Sequence, residues 1–458
     1  MRLSRRSLLV GSTALLAVPR AARSTDRRVL RLESRTIDVN GKPATRYRVV
    51  QPSGAWGLEL DQGDMFDVRL ENRLTVPSSV HWHGMNPPWR QDGVPFLSAP
   101  PIAPGQTSEY RFPAVPVGTR WMHSHFGLQE QNLLAAPLIV REQSAIDSGV
   151  QEVVVMFEDF SWTSPRQIFA DLRKPKPMNM ASTGSGVPDL NDVTYDAFLA
   201  NDRTLADPQV IDVEKGGEIR LRLINAAAST NFMIELGELS GRVLTVDGNP
   251  VLPLEVRRFP LAIAQRVDIA VRLPAGAATA MPVIARGEGR RLQAGVLLRP
   301  AGASVARISE TAEVAAPAIT LTEELKLRAE TPLPARSVDR SVPVDLTGDM
   351  AAYVWGVSVH GMEGLPVTVA KGERVELVMR NATMMSHPMH LHGHSFQVTE
   401  INGQALAGAV RDTVLVPPRT TVKVAFDADN PGLWAYHCHN LYHMAAGMFA
   451  TVVYRGFS

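Results

Sequence analysis

Residues 437–443 constrain the fold of this chain more than any other stretch, because they hold its only cysteine, Cys438, between two histidines. His443 follows that cysteine by five positions and Met448 follows it by ten. A thiolate, imidazoles and a weak axial thioether are the ligands of a blue, electron-transferring copper site. The remaining ligands must come from elsewhere, so the fold has to bring a distant segment to this one.

The other histidines show where those ligands lie. All but one of the 12 histidines, His360, fall into four short clusters. The clusters are His81-Trp82-His83-Gly84, His123-Ser124-His125, His387-Pro388-Met389-His390-Leu391-His392-Gly393-His394, and His437-Cys438-His439 with His443. Residues i and i+2 of a strand face the same side, so each His-x-His pair can present two imidazoles to one place. One such pair is weak support for a metal site, whereas four clusters together predict one.

Length, composition and charge describe an ordinary globular protein. At 458 residues the chain is long enough for about three domains of about 150 residues each. Hydrophobic residues make up 45% and charged residues 20%, which is typical of packed cores rather than of disorder. The net charge is +1, and it becomes −4 without the five arginines of residues 1–24. So mild a balance gives no electrostatic reason to expect a nucleic-acid partner.

Residues 1–24 are typical of an export signal. Residues 4–9, Ser-Arg-Arg-Ser-Leu-Leu, form a twin-arginine pattern, and an apolar stretch and small residues follow. That stretch is too short to span a bilayer, and no later run of about 18 apolar residues occurs, so no membrane segment is expected after cleavage. The pattern predicts a periplasmic protein; the alternative is a basic cytoplasmic terminus. In an oxidising compartment the single cysteine is better explained as a metal ligand than as a free thiol.

Alternating segments separated by turn residues predict an all-β chain of three sandwich domains, at residues 25–145, 146–305 and 306–458. Residues 61–72, 213–225 and 369–381 resemble one another, and each ends in asparagine. Strands of this kind recur in many β-proteins, but three parallel endings favour a repeated domain. Residues 150–299 contain no histidine or cysteine, which predicts a spacer without metal, and the Ala- and Pro-rich residues 300–317 predict a linker.

Four motifs connect the chain to a known family. His-Trp-His-Gly, Trp-x-His-Ser-His, His-Pro-x-His-Leu-His-Gly and His-Cys-His-x3-His-x4-Met occur in that order. With these motifs the mature chain resembles the multicopper oxidases, the laccase-like three-cupredoxin enzymes. The resemblance implies three cupredoxin-like Greek-key β-sandwich domains. It also implies four copper ions, one of type 1, one of type 2 and a type 3 pair, with the trinuclear cluster between the first and third domains.

The resemblance carries a role onto each ligand position. It implies His387, Cys438, His443 and axial Met448 at the type 1 copper, and His81 and His390 at the type 2 copper. It places the type 3 ligands in two expected trios, His83, His125 and His439 in one, and His123, His392 and His437 in the other. Neighbours on a strand point to opposite faces, so Cys438 would face one copper while His437 and His439 face two others. An electron would then cross only a few covalent bonds.

Two positions bear on proton delivery. Asp92, nine residues after His83, matches a carboxylate that bacterial members of the family use near the type 2 copper; the alternative is an ordinary turn residue before Gly93. Where some bacterial relatives carry glutamate directly after the type 1 histidine, this chain has Met444, which argues against a relay there. The ending is more similar to that of periplasmic copper-resistance members.

The remaining sulfur and imidazole groups have two interpretations. Met384, Met385 and Met389 flank His387, and Met178 and Met180 lie in a predicted loop. Thioethers bind Cu(I), so these residues predict either a cuprous substrate site or ordinary packing, which methionine favours in irregular cores. We expect His394 to be structural and His360 to be an ordinary strand histidine.

The sequence therefore predicts a periplasmic, monomeric multicopper oxidase with Asp92 and Cys438 as reacting residues. It would oxidise a one-electron donor and reduce dioxygen to water. The donor is expected to be a phenol or aromatic amine, as for a laccase, with Cu(I) in copper tolerance as the alternative. A non-catalytic copper-binding carrier of the same fold is the alternative from another class.

Overall fold

A computed structural model describes residues 27–174 and 188–457. The predicted export signal, residues 1–24, and the two methionines Met178 and Met180 lie outside the described residues. Within the described ranges the chain forms 32 β-strands and three short α-helices. None of the described helices is long and apolar enough to cross a membrane.

The first sandwich consists of two four-stranded sheets, ordered β2-β1-β4-β6 and β3-β8-β7-β5. Its strands are β1 (Arg28–Val39), β2 (Lys42–Val50), β3 (Leu58–Asp61), β4 (Met65–Asn72), β5 (Val80–His83), β6 (Thr107–Pro113), β7 (Gly118–Ser124) and β8 (Ala135–Arg141). Apolar side chains from both sheets, such as Leu30 on β1 and Leu138 on β8, form one core. Burial of these apolar side chains holds the sheets face to face.

The second sandwich has sheets ordered β10-β9-β12-β17-β14-β15 and β11-β19-β18-β13-β16. Its elements are α1 (Gln143–Ser148), β9 (Gln151–Phe160), α2 (Pro165–Leu172), β10 (Ala197–Ala200), β11 (Val210–Val213), β12 (Glu218–Asn225), β13 (Phe232–Glu235), β14 (Gly241–Val246), β15 (Asn249–Val256), β16 (Arg258–Leu261), β17 (Arg266–Arg272), β18 (Met281–Gly287) and β19 (Gln293–Pro300). The segment predicted as a linker runs along this sandwich, with single bridges from Ser304, Thr311 and Ala316.

The third sandwich has one sheet with the path β22-β21-β20-β24-β30-β26-β27, to which β28 adds beside β26, and one ordered β23-β32-β31-β25-β29. Its elements are β20 (Arg340–Asp349), β21 (Val354–Val359), β22 (Met362–Glu363), β23 (Val367–Val369), β24 (Arg374–Asn381), β25 (His387–Leu391), β26 (Phe396–Ile401), β27 (Gln404–Ala405), β28 (Val410–Arg411), β29 (Thr413–Val416), β30 (Thr421–Asp427), β31 (Leu433–Cys438), α3 (Leu441–Ala445) and β32 (Phe449–Tyr454).

One pairing scheme recurs in all three sandwiches. In the first sheet of each sandwich, two adjacent strands run parallel, namely β1 and β4, β9 and β12, and β20 and β24. In the second sheet, β3 pairs parallel with β8, β11 with β19 and β23 with β32. The predicted fold class of three related β-sandwiches is therefore confirmed, whereas the predicted domain boundaries stay predictions.

The three similar sequence segments owe their shared asparagine to one structural device. Asn72, Asn225 and Asn381 end equivalent strands, and each is buried. In every case the side-chain amide donates to two backbone carbonyls, at 2.7–3.0 Å, and its oxygen accepts the N–H two residues on, at 2.8–3.0 Å. A buried carbonyl left without a donor would cost about 1–3 kcal/mol, so the asparagine fixes the following loop.

Equivalent strands differ between the sandwiches in whether they carry ligands. The strand pair β5 and β7 in the first sandwich and the pair β25 and β31 in the third hold most of the clustered histidines. The equivalent antiparallel pair in the second sandwich, β13 and β18, contains no histidine or cysteine. The middle sandwich thus keeps the framework without the ligand side chains.

Candidate metal centres

Strand register brings the clusters together. His81 on β5 lies opposite His123 on β7 in the first sandwich. In the third, His390 on β25 lies opposite His437 on β31, and Met389 lies opposite Cys438. Alternation along β31 then sends Cys438 to one side of the sheet and His437 to the other. Two separate groups of ligand atoms result, one on each side.

The first group is His387, Cys438 and His443, all fully buried in the third sandwich. The Cys438 Sγ lies 3.6 Å from Nδ1 of His387 and 3.7 Å from Nδ1 of His443. The two Nδ1 atoms are 3.1 Å apart. Three donor atoms of the types that bind copper therefore converge on one point.

Hydrogen bonds on the outer ring edges fix how these two histidines point. The Thr383 hydroxyl donates to the side-chain oxygen of Asn381 at 2.9 Å, so it is free to accept from Nε2 of His387 at 2.7 Å. Nε2 of His443 donates to the carboxylate of Asp192 at 2.7 Å. With the protons held on Nε2, both Nδ1 lone pairs face the Cys438 sulfur.

Local sequence explains the position of His443. Strand β31 ends at Cys438, and Asn440 caps the short helix α3 by accepting from the N–H groups of Tyr442 and His443. One turn of helix returns His443 to the cysteine. Met448 is fully buried, and its carbonyl accepts the Cys438 N–H at 3.1 Å, so its backbone lies beside the group. The axial role of its sulfur stays a prediction.

The second group contains eight buried histidines from the first and third sandwiches. Their ligand atoms form the sets His81, His83 and His390; His83, His123 and His439; and His125, His392 and His437. The expected trios were therefore wrong in one respect, because His123 and His125 exchange places. The reason is that β7 ends at Ser124: His123 is still within the strand, whereas His125 lies beyond it and its Nε2 reaches Nε2 of His437 at 3.3 Å.

Backbone carbonyls and carboxylates fix the tautomers in this group. Nδ1 of His81 contacts the Asp92 carbonyl at 3.0 Å, Nδ1 of His390 the Asp412 carbonyl at 2.8 Å, and Nδ1 of His437 the Cys438 carbonyl at 3.0 Å. Nδ1 of His392 contacts the Asp92 carboxylate at 2.8 Å. A carbonyl only accepts, so Nδ1 carries the proton and Nε2 carries a lone pair.

Those lone pairs face one another. The Nε2 atoms of His392 and His437 are 3.0 Å apart, and those of His81 and His390 are 3.5 Å apart. The buried Nδ1 of His83 and Nε2 atoms of His123 and His439 have no hydrogen-bond partner. Facing lone pairs repel and unpartnered buried nitrogens are costly, so bound cations would stabilise this arrangement. The donor set fits copper, which imidazole ligands suit.

Burial tunes the same groups for metal binding. It lowers the pKa of His83, His123, His125, His387, His390, His392 and His439 well below the ordinary value, with neighbouring histidines adding to the effect. It lowers the pKa of His437 to about 4. These imidazoles are neutral at pH 7, which is the ligand form. Burial also raises the pKa of the Cys438 thiol, so deprotonation requires a bound cation.

Asp92 is buried among ligands. Its carboxylate oxygens lie 3.1 Å from Nδ1 of His81 and 2.8 Å from Nδ1 of His392. A surface turn residue would make neither contact. The structure therefore brings Asp92 into the eight-histidine group, and its chemical role stays a prediction.

Three further carboxylates contact ligands and have no signal in the sequence. Asp412 lies 3.0 Å from Nε2 of His83, and Glu130 lies 3.0 Å from Nδ1 of His123. Burial, together with nearby Asp159, raises the pKa of Glu130 well above its usual range. Asp192 contacts His443 as described above. Asp412 and Asp192 lie far in sequence from the histidines that they contact, and Glu130 lies seven residues after His123 but outside the four histidine motifs, so no motif identifies these carboxylates.

The other candidate residues belong to neither group of ligand atoms. Met385 and Met389 are buried in the core of the third sandwich, and Met384 is half-buried. His394 is buried; its Nδ1 bonds the His392 carbonyl at 3.0 Å and its Nε2 bonds the Tyr454 hydroxyl at 2.6 Å, which are structural contacts. His360 is exposed, one residue after β21.

A cavity of about 500 Å³ opens beside the eight-histidine group. Its lining is mostly apolar and reaches His125. The lining residues are Val94, Pro95, Phe96, Leu97, His125, Gly127, Leu128, Phe169, Met444, Ala445 and Phe449. A small apolar molecule can therefore approach one ligand of the group from the surface.

Known proteins share both the sequence pattern and the fold. Models of the multicopper oxidase family match residues 50–145, 152–292 and 336–456. The chain is 34% identical, over 86% of its length and 80% of the relative, to the multicopper oxidase MmcO of Mycobacterium tuberculosis. It is 27% identical, over 86% of both chains, to a copper resistance protein A homolog of Pseudomonas syringae pv. tomato. The crystal structure of Fet3p, a multicopper oxidase that functions in iron import, superimposes with a TM-score of 0.75 at 19% identity, covering 93% of this chain and 90% of that one.

Proposed function

Because the chain belongs to the multicopper oxidase family, we propose that it oxidises a one-electron donor at the Cys438 group and reduces dioxygen to water at the eight-histidine group. One observation carries the proposal. Imidazole nitrogens converge 3.0–3.5 Å apart at one site while a buried thiol and two Nδ1 atoms converge at another.

The converging ligand atoms support one assignment of residues to the copper ions. A type 1 copper would be held by His387, Cys438 and His443, with Met448 axial, and a type 2 copper by His81 and His390. The type 3 pair would be held by His83, His123 and His439 on one side and by His125, His392 and His437 on the other. Copper bound in this way supplies one-electron redox chemistry at the thiolate site and four-electron reduction of dioxygen at the cluster.

The chain itself provides the connection between the two groups. Cys438 belongs to one group, and its sequence neighbours His437 and His439 belong to the other. Residues 437–439 are therefore the shortest covalent link between donor oxidation and oxygen reduction. The apolar cavity that reaches His125 gives dioxygen an approach on the side of the cluster.

Asp92 is proposed to orient ligands and to serve proton delivery. Its Oδ2 accepts the Nδ1 proton of His392, and its Oδ1 lies beside Nδ1 of His81. The carboxylate thus holds the type 3 ligand His392 in the tautomer that it needs, while the backbone carbonyl of the same residue holds the type 2 ligand His81. Met444, half-buried at the edge of the cavity, offers no acidic group for a relay at its own position.

The donor is proposed to be a phenol or an aromatic amine. Met385 and Met389 are buried in a hydrophobic core, so they do not form an open thioether site for Cu(I) within the described residues. The side chain that meets the outer edge of His443 is the Asp192 carboxylate, which also accepts from the Tyr353 hydroxyl at 2.7 Å. The outer edge of His443 is thus covered by a carboxylate and not by a thioether, the ligand type that Cu(I) prefers.

Cu(I) is the second candidate donor, because the copper resistance protein A relatives match most of the chain.

The periplasm is the proposed location of the protein, and a monomer is its proposed assembly. The twin-arginine pattern supports export to the periplasm, and three sandwiches in one chain supply both ligand groups, which supports a monomer.

Copper content, spectra and oxygen uptake of the copper-loaded protein test this function together. We expect about four copper ions per chain, an intense visible thiolate band and oxygen consumption with a phenolic donor. Parallel uptake measurements with Cu(I) decide between the donors, since the physiological one should react faster. One copper or none per chain without oxygen uptake would instead indicate the non-catalytic carrier.

A further inference from the structure

We propose that Arg266, in the metal-free middle sandwich, is a positioning residue for the eight-histidine group. It clamps Asp412, and Asp412 fixes the ring of His83. The middle sandwich is then a working part of the metal site and not only a spacer. This inference rests on the proposed function, since it concerns the histidines that would hold the copper cluster.

The clamp is a buried, two-pronged ion pair. Nη1 and Nη2 of Arg266 lie 2.8 Å and 2.5 Å from the two carboxylate oxygens of Asp412. Both side chains are almost wholly shielded from solvent, with 0% and 2% of their surfaces exposed. Such parallel charge-assisted bonds fix the plane of a carboxylate as well as its distance.

Asp412 passes this orientation to His83. Its Oδ1 lies 3.0 Å from Nε2 of His83, and the Thr413 hydroxyl lies 3.2 Å from the same nitrogen. The carboxylate holds the proton on Nε2, so the lone pair of His83 is on Nδ1, which has no hydrogen-bond partner. His81, His390, His392 and His437 are held through Nδ1 and present Nε2, so His83 has the opposite tautomer.

The same short segment serves a second ligand. The Asp412 backbone carbonyl accepts from Nδ1 of His390 at 2.8 Å. A displacement of Asp412 would therefore disturb one proposed type 2 ligand and one proposed type 3 ligand. Thr413 strengthens this link, because its hydroxyl lies 3.2 Å from Nε2 of His83 and 3.2 Å from Nδ1 of His390.

Further groups of the middle sandwich hold this segment in place. Nε2 of Gln265 donates to the Thr413 carbonyl at 3.1 Å, and the Asp247 carboxylate accepts the Thr413 N–H at 3.3 Å. Asp247 also lies 3.2 Å from the Arg411 guanidinium. Hydrogen bonds and an ion pair from the segments that contain Asp247 and Gln265 thus hold residues 411–413 of the third sandwich in place.

Loss of Arg266 would leave the carboxylate poorly compensated. The nearest other cation is Arg120, at 3.7 Å from Oδ2 of Asp412, which is too long for a good hydrogen bond. A buried carboxylate without a close partner turns toward a remaining cation. That movement breaks the hydrogen bond to Nε2 of His83, so the lone pair is no longer fixed on Nδ1.

The test uses the full-length, copper-loaded protein with Arg266→Met and Arg266→Lys. Lysine keeps the charge but cannot bind both carboxylate oxygens in parallel. We measure copper per chain, the EPR-silent coupling of the type 3 pair, the visible thiolate band, oxygen uptake and the melting temperature. Contacts that orient metal ligands commonly change affinity or activity by about 10–100-fold. We expect Met to lose the coupled pair and at least tenfold of the uptake, Lys to lie between Met and wild type, and the thiolate band to persist in both.

Arg222→Lys is the matched control. Arg222 is also a fully buried arginine of the middle sandwich, but it pairs with Asp268 and Glu152 and contacts no ligand histidine. We expect it to lower the melting temperature while the coupled pair remains. The proposal is overturned if Arg266→Met keeps the coupled pair and uptake within twofold of wild type, or if Arg222→Lys loses the pair to the same extent. Failure of the proposed function would appear differently, as absence of the coupled pair in the unsubstituted protein.

Discussion

The two ligand groups of this protein are built in different ways. The Cys438 group lies inside one core, and all of its ligands come from β25, β31 and α3 of the third sandwich. The eight-histidine group lies where the first and third sandwiches meet, so His81 and His390, 309 positions apart, touch each other. The first group needs one sandwich to fold, whereas the second needs two sandwiches to dock.

This difference predicts how each group responds to damage. The thiol group depends on a strand register and one helix turn, which the third core stabilises directly. The histidine group depends on contacts between sandwiches, among them the ion pair between Arg266 and Asp412. Substitutions should therefore be able to remove either group while the other survives.

The largest expected effect is that of Cys438→Ser. A serine hydroxyl stays protonated and cannot replace a thiolate ligand, so the visible band and donor oxidation should disappear. The similar size of serine should leave the fold soluble. Absorption, EPR and copper content should show the histidine group still loaded. An intense visible band with full turnover in this variant would refute the type 1 assignment.

The converse substitution is His125→Gln. The ligand atoms of His125, His392 and His437 converge on one point, so loss of one of them should reduce oxygen uptake to background while the thiolate band remains. His394→Gln is the control, because His394 is buried in the same histidine-rich stretch but bonds Tyr454. The control should cost about 1–3 kcal/mol of stability and keep its oxygen uptake. Equal loss of uptake in both variants would mean that stability, rather than ligation, is being measured.

Asp92→Asn should have an intermediate effect. A carboxamide presents one acceptor oxygen where the carboxylate presents two, so either the N–H of His392 loses its partner or an NH2 group is placed against Nδ1 of His81. We expect oxygen uptake to fall by about 10–100-fold with an unchanged thiolate band. Uptake equal to that of wild type would favour the simple turn residue over the proposed role.

The smallest effect is expected at the thiol group, for Asp192→Asn. The amide oxygen can still accept from His443 and Tyr353, so the geometry should persist while a negative charge is lost. That charge favours the oxidised form of a bound metal, so the reduction potential should rise and donor oxidation should change by less than about tenfold. Redox titration of the visible band measures the shift. A lower potential would contradict the proposed effect of the Asp192 charge. Disturbance of the coupled copper pair would contradict the separation of the two groups.

Much of the architecture could be predicted because it depends on local patterns in the sequence. Alternation along strands indicated the all-β class, and the repeated Asn72, Asn225 and Asn381 indicated three related sandwiches. The asparagines repeat because one buried hydrogen-bonding requirement recurs at the same strand end. The histidine clusters likewise identified the ligands, since soft and imidazole donors rarely gather without a metal.

The sequence failed where the answer depended on how a chain leaves a strand or on contacts between sandwiches. The expected trios assumed that His123 and His125 continue one strand, but β7 ends between them and their rings serve different sets. Asp192 gave no signal, because it meets His443 only after distant segments have packed together. Glu130 follows His123 by seven residues but lies outside the four histidine motifs.

By itself, then, the sequence determined the class of fold, the kinds of ligand atom and the two groups into which a thiol and imidazoles separate. Those features depend on residue type and on the two-residue period of a strand. Only the tertiary structure decided which nitrogen of each ring faces the metal site. That choice belongs to the carboxylates, carbonyls and hydroxyls on the other ring edge, and in the case of His83 to an aspartate held by an arginine from a sandwich with no ligand of its own.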